Sequence, residues 1–256
     1  MHHIATLTLI GGPTLLVELN GLRLLTDPTF DLPGDYTSGP VHLHKTAGPE
    51  LDPGDLLPID AVLLSHDQHF DNLDRTGRMF LPSAGTTLTT PAGARRLGGH
   101  ARGLEPWETI SIGEGTERLH ITATPARHGP VGIEPISGDV TGFLIGVDQP
   151  GDAIYVSGDT VWYDGVAEVA RRFRPRLVVA FAGSAETRGK FHLTMDSNDV
   201  IALAHAFPET RIVAIHNEGW AHFKESAADL GQAMTALGVG ERLVPLDKGK
   251  PLPISL

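Results

Sequence analysis

The densest set of chemically active side chains in this 256-residue chain is the segment Leu63-Leu64-Ser65-His66-Asp67-Gln68-His69-Phe70-Asp71-Asn72-Leu73-Asp74. Two imidazoles and three carboxylates fall within nine residues there, directly after a short apolar run. Imidazole and carboxylate are ligands of divalent ions such as zinc, manganese and iron. The segment therefore predicts a metal site. A solvated turn that begins a helix, with Asp71 or Asn72 as its N-cap, is the alternative explanation.

Three further apolar runs end in the same way, with a strongly coordinating side chain just past the run. The runs are 121–126, 154–157 and 211–215, and the side chains that follow them are His128, Asp159 and His216. Taken singly, each side chain has a common structural role, such as a turn or helix cap. Loops at strand ends build the sites of α/β sheets, so four such ends predict one shared edge. That edge would hold enough imidazoles and carboxylates for two divalent ions that share Asp159.

The elements that must position these side chains are short buried strands and amphipathic helices. An antiparallel meander is predicted over 6–9, 14–19 and 22–26, with Asn20-Gly21 as a turn. Later buried strands are predicted at 61–65, 119–126, 142–147, 154–157, 177–180 and 211–215. Apolar residues spaced by three and four predict helices over 166–173, 200–207 and 223–237, with Asp196 as the N-cap of the second. The predicted fold class is α/β or α+β, in one domain spanning 1–256.

Composition narrows the possible partners. The chain has 20 Lys and Arg against 31 Asp and Glu, a net charge of -11, and no basic run, which argues against nucleic acid as a partner. No apolar run is long enough to span a bilayer, and no secretory signal is recognisable, so we expect a cytoplasmic protein that does not act on membranes. Without cysteine, disulfides and thiolate metal sites are excluded. The Pro- and Gly-rich segment 28–58 shows little periodicity and is predicted to form a lid or rim.

The order of these motifs resembles the metallo-β-lactamase superfamily. The similarity is greatest to the branch of the ascorbate-6-phosphate lactonase and the N-acyl-phosphatidylethanolamine phospholipase D. It is carried by the His-rich loop, the lone His128, the Gly-Asp-Thr at 158–160 and the Ile-His before Gly-Trp-Ala-His-Phe. Ile10-Gly11-Gly12-Pro13-Thr14 and Leu24-Leu25-Thr26-Asp27-Pro28 resemble that branch too, so the resemblance covers nearly the whole chain.

This resemblance implies a four-layer αββα sandwich with a di-metal site at one end of its two sheets. It carries the metal ligands over to His66, His69, Asp71, His128, the bridging Asp159, and His216. The implied cofactor is zinc, one or two ions per chain, with Mn²⁺ or Fe²⁺ as alternatives.

The first loop departs from the family's pattern of two His separated by one residue, followed after another residue by Asp and then His. Here the spacing requires one extra residue after His66, and Asn72 stands in the last ligand position. Asn is a weaker zinc ligand than imidazole, so the second metal position is expected to be weakened. Whether the insertion displaces His66 or Gln68 stays open.

Several other residues are candidates for substrate contacts or for orienting a ligand. Asp27 is a candidate to orient a ligand histidine. His192 precedes a helix, and the sequence favours a position near the site and a position on a surface loop equally. Trp220 is a candidate wall of the pocket, and for both Trp220 and His222 packing is the favoured interpretation.

The leading functional hypothesis is a metal-dependent hydrolase of a small-molecule ester, lactone or phosphodiester. A metal-bound hydroxide would be the nucleophile and Asp71 would orient or deprotonate the water. No Gly-x-Ser-x-Gly elbow, nucleotide-binding loop or Cys nucleophile competes with this interpretation. The alternatives are a phosphodiesterase or nuclease of the same superfamily, and a metal-binding protein of this fold that has lost turnover.

Overall fold

Two large β-sheets and six helices make up the computed structural model, which describes residues 3–256. The strands are β1 Ile4–Gly11, β2 Thr14–Leu19, β3 Leu22–Thr26, β4 Gly34–Ser38, β5 Val41–Lys45, β6 Ala61–Leu63, β7 Thr86–Thr89, β8 Ala101–Gly103, β9 Thr109–Glu114, β10 Glu117–Pro125, β11 Thr141–Gly146, β12 Ile154–Val156, β13 Leu177–Phe181, β14 Arg211–Ile215 and β15 Leu252–Ser255. The helices are α1 Arg75–Phe80, α2 Pro91–Leu97, α3 Glu134–Ser137, α4 Asp164–Arg172, α5 Ser197–Ala206 and α6 Ala227–Ala236.

The first sheet has the strand order β15-β1-β2-β3-β6-β7-β8. Its first half is antiparallel, and the strands from β3 to β8 run parallel. The predicted meander is β1, β2 and β3. Asn20 and Gly21 form its turn with φ of 52° and 81°, the left-handed region that a two-residue hairpin loop requires.

The second sheet has the strand order β14-β13-β12-β11-β10-β9. Strands β9 to β12 are antiparallel, whereas β12, β13 and β14 run parallel. The carboxyl ends of these three parallel strands therefore lie at one edge of the sheet.

Side-chain alternation along the strands creates the layers. In β13, Leu177, Val179 and Phe181 enter the core between the sheets, while Val178 and Ala180 pack against the helices on the outer face. Helices α4, α5 and α6 supply that outer layer of the second sheet. On the first sheet, apolar residues of α1 and of the neighbouring loops cover the outward-facing side chains. This arrangement confirms the four-layer αββα sandwich.

Segment 28–58, which the sequence predicts as a lid or rim with little periodicity, contains a regular element, the antiparallel hairpin β4–β5. Local sequence signals are weak there because the hairpin is stabilised by distant packing. Tyr36 and Leu43 are buried in a cluster with Trp220, whose backbone bridges to Lys45.

Helix boundaries also differ in places. The predicted third helix begins only at Ala227, because Ser226 and Asp229 form a capping box there. Asp196 caps α5 as predicted. In the first loop, neither Asp71 nor Asn72 is an N-cap, because α1 begins at Arg75 and its cap is Asp74. Within residues 3–256, no helix is both long and apolar enough to cross a membrane.

Candidate metal centre

The four strand ends singled out in the sequence meet at one place. His66 lies just beyond β6 of the first sheet, and His128, Asp159 and His216 lie beyond β10, β12 and β14 of the second. The loop after His66 adds His69 and Asp71. These six side chains form two groups, His66 with His69 and His128, and Asp71 with Asp159 and His216. Within each group, one potential ligand atom per residue lies within 4.8 Å of the others.

The first group consists of three converging imidazole nitrogens. His69 Nδ1 lies 2.8 Å from His66 Nε2 and 3.1 Å from His128 Nε2. Hydrogen bonds on the far side of two rings determine which nitrogens are free. His128 Nδ1 lies 2.8 Å from the Leu193 carbonyl oxygen, which can only accept, so Nδ1 carries a proton and, in the neutral ring, Nε2 is a bare lone pair.

His66 is oriented by a relay through Ser65 and Asp27. The Ser65 hydroxyl donates to Asp27 Oδ1 at 2.8 Å, so it accepts from His66 Nδ1 at 2.9 Å. His66 Nε2 is therefore a second bare lone pair directed at the group. A single proton on His69 Nδ1 could satisfy only one of the two, which leaves a place for a cation. This relay gives Asp27 the indirect contact with a ligand histidine that the sequence predicted.

The second group is ionic. Asp159 Oδ1 lies 3.4 Å from His216 Nε2, and its Oδ2 lies 3.4 Å from His128 Nε2 of the first group. Asp71 Oδ2 lies 3.8 Å from His216 Nε2. Asp159 thus presents one carboxylate oxygen to each group, so this one side chain could contact ions held by both groups.

Burial and neighbouring charges shift the histidine pKa values of the two groups in opposite directions. Burial and the neighbouring His69 hold the pKa of His66 well below its usual value, and burial together with His128 lowers the pKa of His69 to about 4. Both rings are therefore neutral at pH 7. Burial opposes protonation of His216 as well, but the charges of Asp159 and Asp71 outweigh it and raise the pKa of His216. Burial and the charge of Asp159 raise the pKa of Asp27 well above its usual value.

Unpartnered polar atoms test whether these residues fit a metal. Both Asp159 oxygens and both His216 ring nitrogens are buried and form no hydrogen bond within the described part of the chain. Buried polar atoms are nearly always hydrogen-bonded, so such a cluster indicates a missing partner. Imidazole nitrogens and carboxylate oxygens, without thiolates, suit zinc, manganese or iron. The residues present therefore fit a centre of one or two divalent ions.

Backbone strain also concentrates here. His216 has φ of 57° and Asp27 has φ of 27°, although both carry a Cβ. Such angles are uncommon for residues other than glycine and persist where the surrounding structure holds them. His216 is held by its backbone N–H, which donates to the Gly12 carbonyl, and Asp27 by its N–H, which donates to Leu63.

His222 has a larger part in the site than the packing role favoured from sequence. Its Nε2 lies 2.9 Å from Asp71 Oδ2, the ring is buried, and it lines the cavity beside the metal ligands. Burial opposes ionisation of Asp71, but the hydrogen bond and charge of His222, with the charge of His216, hold the pKa of Asp71 below its usual range. Trp220 lies behind His222, with ring centroids 5.9 Å apart, and does not line the cavity.

The remaining candidates divide between the site and the surface. Gln68 is exposed at the rim of the cavity. Asn72 is fully buried, with its Nδ2 3.5 Å from Ser65 Oγ and its Oδ1 without a partner among the described residues. His192 is not brought to the cavity. Its ring faces Asp199 at 3.2 Å and Asp196 at 3.6 Å, because Asp196 is the N-cap of α5 and Asp199 lies in the first turn of that helix.

A cavity of about 200 Å³ opens above the two groups. Its lining joins the hairpin, the first loop, α3 and the loop that follows β13. The residues are Val41, Leu43, Gln68, His69, Phe70, Asp71, His128, Ile133, Ile136, Ser137, Ala185, Thr187, Arg188, Leu193 and His222.

Sequence reasoning missed the Ser65 relay, the Leu193 carbonyl and Arg188. A serine directly before His66 could have suggested the relay. No local pattern distinguishes Arg188 from other loop arginines.

Comparisons with known proteins identify a family and related sequences. A family described as a beta-lactamase superfamily domain has a sequence model that matches residues 22–217. The UPF0173 protein YddR of Bacillus subtilis is 26% identical over 255 residues, covering 94% of this chain and 97% of YddR. N-acyl-phosphatidylethanolamine-hydrolyzing phospholipase D of Saccharomyces cerevisiae is 34% identical over 133 residues, covering 47% of this chain and 26% of that enzyme.

Two solved structures match over the full length. Isothiocyanate hydrolase from Delia radicum gut bacteria is 25% identical, with a TM-score of 0.83 over 98% of this chain and 100% of that chain. A possible metal-dependent hydrolase from Veillonella parvula is 20% identical, with a TM-score of 0.82 over 99% of this chain and 100% of that chain. The second likeness bears on the fold alone.

Proposed function

Because the chain belongs to the metallo-β-lactamase superfamily, we propose that it is a metal-dependent hydrolase of an ester, lactone or phosphodiester bond in a small molecule. The observation that carries this proposal is the convergence of His66, His69 and His128, two of whose nitrogens are directed at one point as bare lone pairs. The names of the phospholipase D and of the isothiocyanate hydrolase support a hydrolytic activity.

The two residue groups would hold two ions. His66, His69 and His128 would hold the first, Asp71 and His216 the second, and Asp159 would contact both. Zinc is the proposed metal, with Mn²⁺ or Fe²⁺ as alternatives that the same donors accept. When bound, such ions supply Lewis acidity and lower the pKa of a coordinated water from 15.7 to about 7.

Asp71 is the carboxylate placed to handle the proton of the attacking water. Its pKa stays below the usual range, so it is ionised at neutral pH, and it lines the cavity. The His222 N–H fixes one of its oxygens at 2.9 Å, which leaves the other to orient the water and accept its proton. His222 acts here through Asp71 as a positioning residue.

The size and walls of the cavity favour a small substrate. A volume of about 200 Å³ at the end of the sandwich admits a compact molecule. The net charge of -11 disfavours binding to the phosphate backbone of a nucleic acid, so it counts against the nuclease alternative.

Metal removal and reloading test the proposal. We expect purified protein to contain about one to two zinc, manganese or iron ions per chain and to hydrolyse members of a panel of lactones, aryl esters and bis-aryl phosphodiesters. A chelator should abolish turnover, and the metal should restore it. Asp71→Asn should reduce turnover by about 100-fold or more, the scale of a lost general base. Turnover that persists without metal, or a protein that binds none of these ions, would contradict the proposal.

A second candidate activity is the hydrolysis of isothiocyanates. The likeness to isothiocyanate hydrolase covers both chains nearly completely, and the same residues would direct water to the central carbon of the N=C=S group. Adding an aryl and an alkyl isothiocyanate to the panel separates this activity from ester hydrolysis.

A further inference from the structure

The wall of the cavity is largely apolar. Val41 and Leu43 come from the hairpin, Phe70 from the first loop, and Ile133 and Leu193 from the opposite side. Leu193 and Ile133 are themselves packed in a small hydrophobic cluster with Ala185, which holds this side of the wall in place. An apolar wall beside a few polar groups favours a ligand with a hydrocarbon or aromatic body.

Arg188 is the one guanidinium or ammonium group among the residues that line this cavity in the described part of the chain. It lies at the tip of the loop after β13, whose base is held on both sides. Leu193 N–H donates to the Ala185 carbonyl, and Glu186 N–H donates to the His222 carbonyl. The base of the loop is therefore fixed to the residue that holds Asp71, and the tip stands at the mouth of the cavity.

The charge of Arg188 is not neutralised within residues 3–256, where it forms no ion pair. Cations near the first loop behave differently: Lys45 pairs with Asp74, Arg75 with Asp31, and Arg96 with Asp67. Guanidinium is planar and binds carboxylates through two parallel N–H groups. A single guanidinium matches a single carboxylate, so Arg188 suits a substrate with one such group at this end.

We propose that the substrate of this site carries a carboxylate on an apolar body and that Arg188 binds this carboxylate at the mouth of the cavity. The inference rests on the proposed hydrolase function, and it names the substrate class. The apolar body would lie against Val41, Leu43 and Ile133, and the bond to be cleaved would face Asp71.

Two esters of equal acyl length test this selectivity on the metal-loaded enzyme. Mono-4-nitrophenyl glutarate carries a terminal carboxylate, and 4-nitrophenyl pentanoate carries a methyl group instead. Arg188→Gln should lower kcat/KM for the glutarate ester by about 10- to 100-fold, mainly through KM, which is the scale of a lost hydrogen-bonded ion pair. The same variant should leave the pentanoate ester within about twofold. Lys190→Gln removes an exposed cation of the same loop that does not line the cavity, and it should change neither value.

A binding measurement separates failure of this inference from failure of the hydrolase proposal. By calorimetry, 4-phenylbutyrate should bind the metal-loaded protein more tightly than 4-phenylbutyramide, and Arg188→Gln should remove the difference while Lys190→Gln preserves it. If neither ester is cleaved but this difference appears, the carboxylate site stands and the ester-hydrolase proposal fails. If Arg188→Gln affects both esters equally or neither, and both ligands bind alike, the substrate class is wrong whether or not the enzyme turns over.

Discussion

Ser65→Ala removes the hydroxyl that connects Asp27 to His66. The Ser65 Oγ lies 2.8 Å from Asp27 Oδ1 and 2.9 Å from His66 Nδ1, and all three residues are buried. In the variant the His66 Nδ1–H loses its acceptor, and because the site is buried, water cannot readily take its place. A buried donor left unpaired costs about 1–3 kcal/mol, so the metal-free protein should lose free energy of unfolding on this scale.

Metal affinity should fall as well, because the proton on His66 Nδ1 is no longer fixed. Loss of such an outer partner typically weakens metal binding by about 10- to 100-fold. This corresponds to about 1.4–2.7 kcal/mol of binding free energy. The measurement is the zinc Kd by competition with a chromophoric chelator, alongside urea unfolding of the metal-free protein.

Thr210→Val is the matched control. Thr210 is also buried, and its hydroxyl donates to the Pro175 carbonyl at 2.8 Å, at the amino end of β14 and therefore at the end opposite to His216. This variant should lose stability without a change in zinc Kd. If Ser65→Ala is destabilised but retains the wild-type Kd, the relay has a structural role only and the argument for the orientation of His66 is refuted.

Three other perturbations follow from the geometry. Asp159→Asn should lower metal occupancy at both groups, because one carboxylate oxygen faces each of them. His128→Ala should lower occupancy only at the first group. Wild-type metal-to-protein ratios in both variants would exclude these residues from the centre. Asn72→His should tighten the second metal position if Asn72 occupies the last ligand place, and a gain in the control Gln68→His alone would favour the other alignment. The hydrogen bond that His192 Nε2–H donates to Asp199, with the charges of Asp196 and Asp199, raises the pKa of His192. The stabilisation is therefore present below the unfolded pKa of about 6.5 and is lost as the pH rises through the folded value. His192→Asn should therefore lower the free energy of unfolding near pH 5.5 by more than near pH 8.5. The effect should be only a few tenths of a kcal/mol, because the ring is partly exposed. A difference in unfolding free energy that does not change with pH would contradict this.

The sequence predicts the centre of the fold well where local signals coincide with long-range geometry. Buried apolar runs mark β10, β12, β13 and β14, and the carboxyl ends of parallel neighbours must share an edge. The residues just past those ends, such as Asp159 and His216, could therefore be placed together before any coordinates. Because β13 is buried on both faces, its apolar run alone does not say which side chains enter the core between the sheets.

The parts that the sequence did not predict depend on contacts between distant segments. Strand β4 has the sequence Gly-Asp-Tyr-Thr-Ser and no continuous apolar face, so its pairing with β5 depends on burial of Tyr36 against Trp220. The contact of His222 with Asp71 spans 151 positions of the chain. No periodicity in either segment encodes such a distance, and a packing role was the reasonable interpretation of His222.

These long-range contacts couple the wall of the cavity to its chemistry. The hairpin that supplies Val41 and Leu43 pairs its backbone with the loop of Trp220: Ala221 N–H donates to the His44 carbonyl, and Thr46 N–H donates to the Gly219 carbonyl. That loop carries His222, which holds Asp71. On its other side, the hairpin is tied to the first loop by the buried ion pair of Lys45 with Asp74, at 2.8 Å. Breaking one partner of such a pair is costly, so the end of β5 is held between these two loops. A change in the hairpin that enlarged the apolar wall should therefore also shift the loop that carries His222 and with it the contact to Asp71. Under the proposed mechanism, substrate fit and proton handling would then change together.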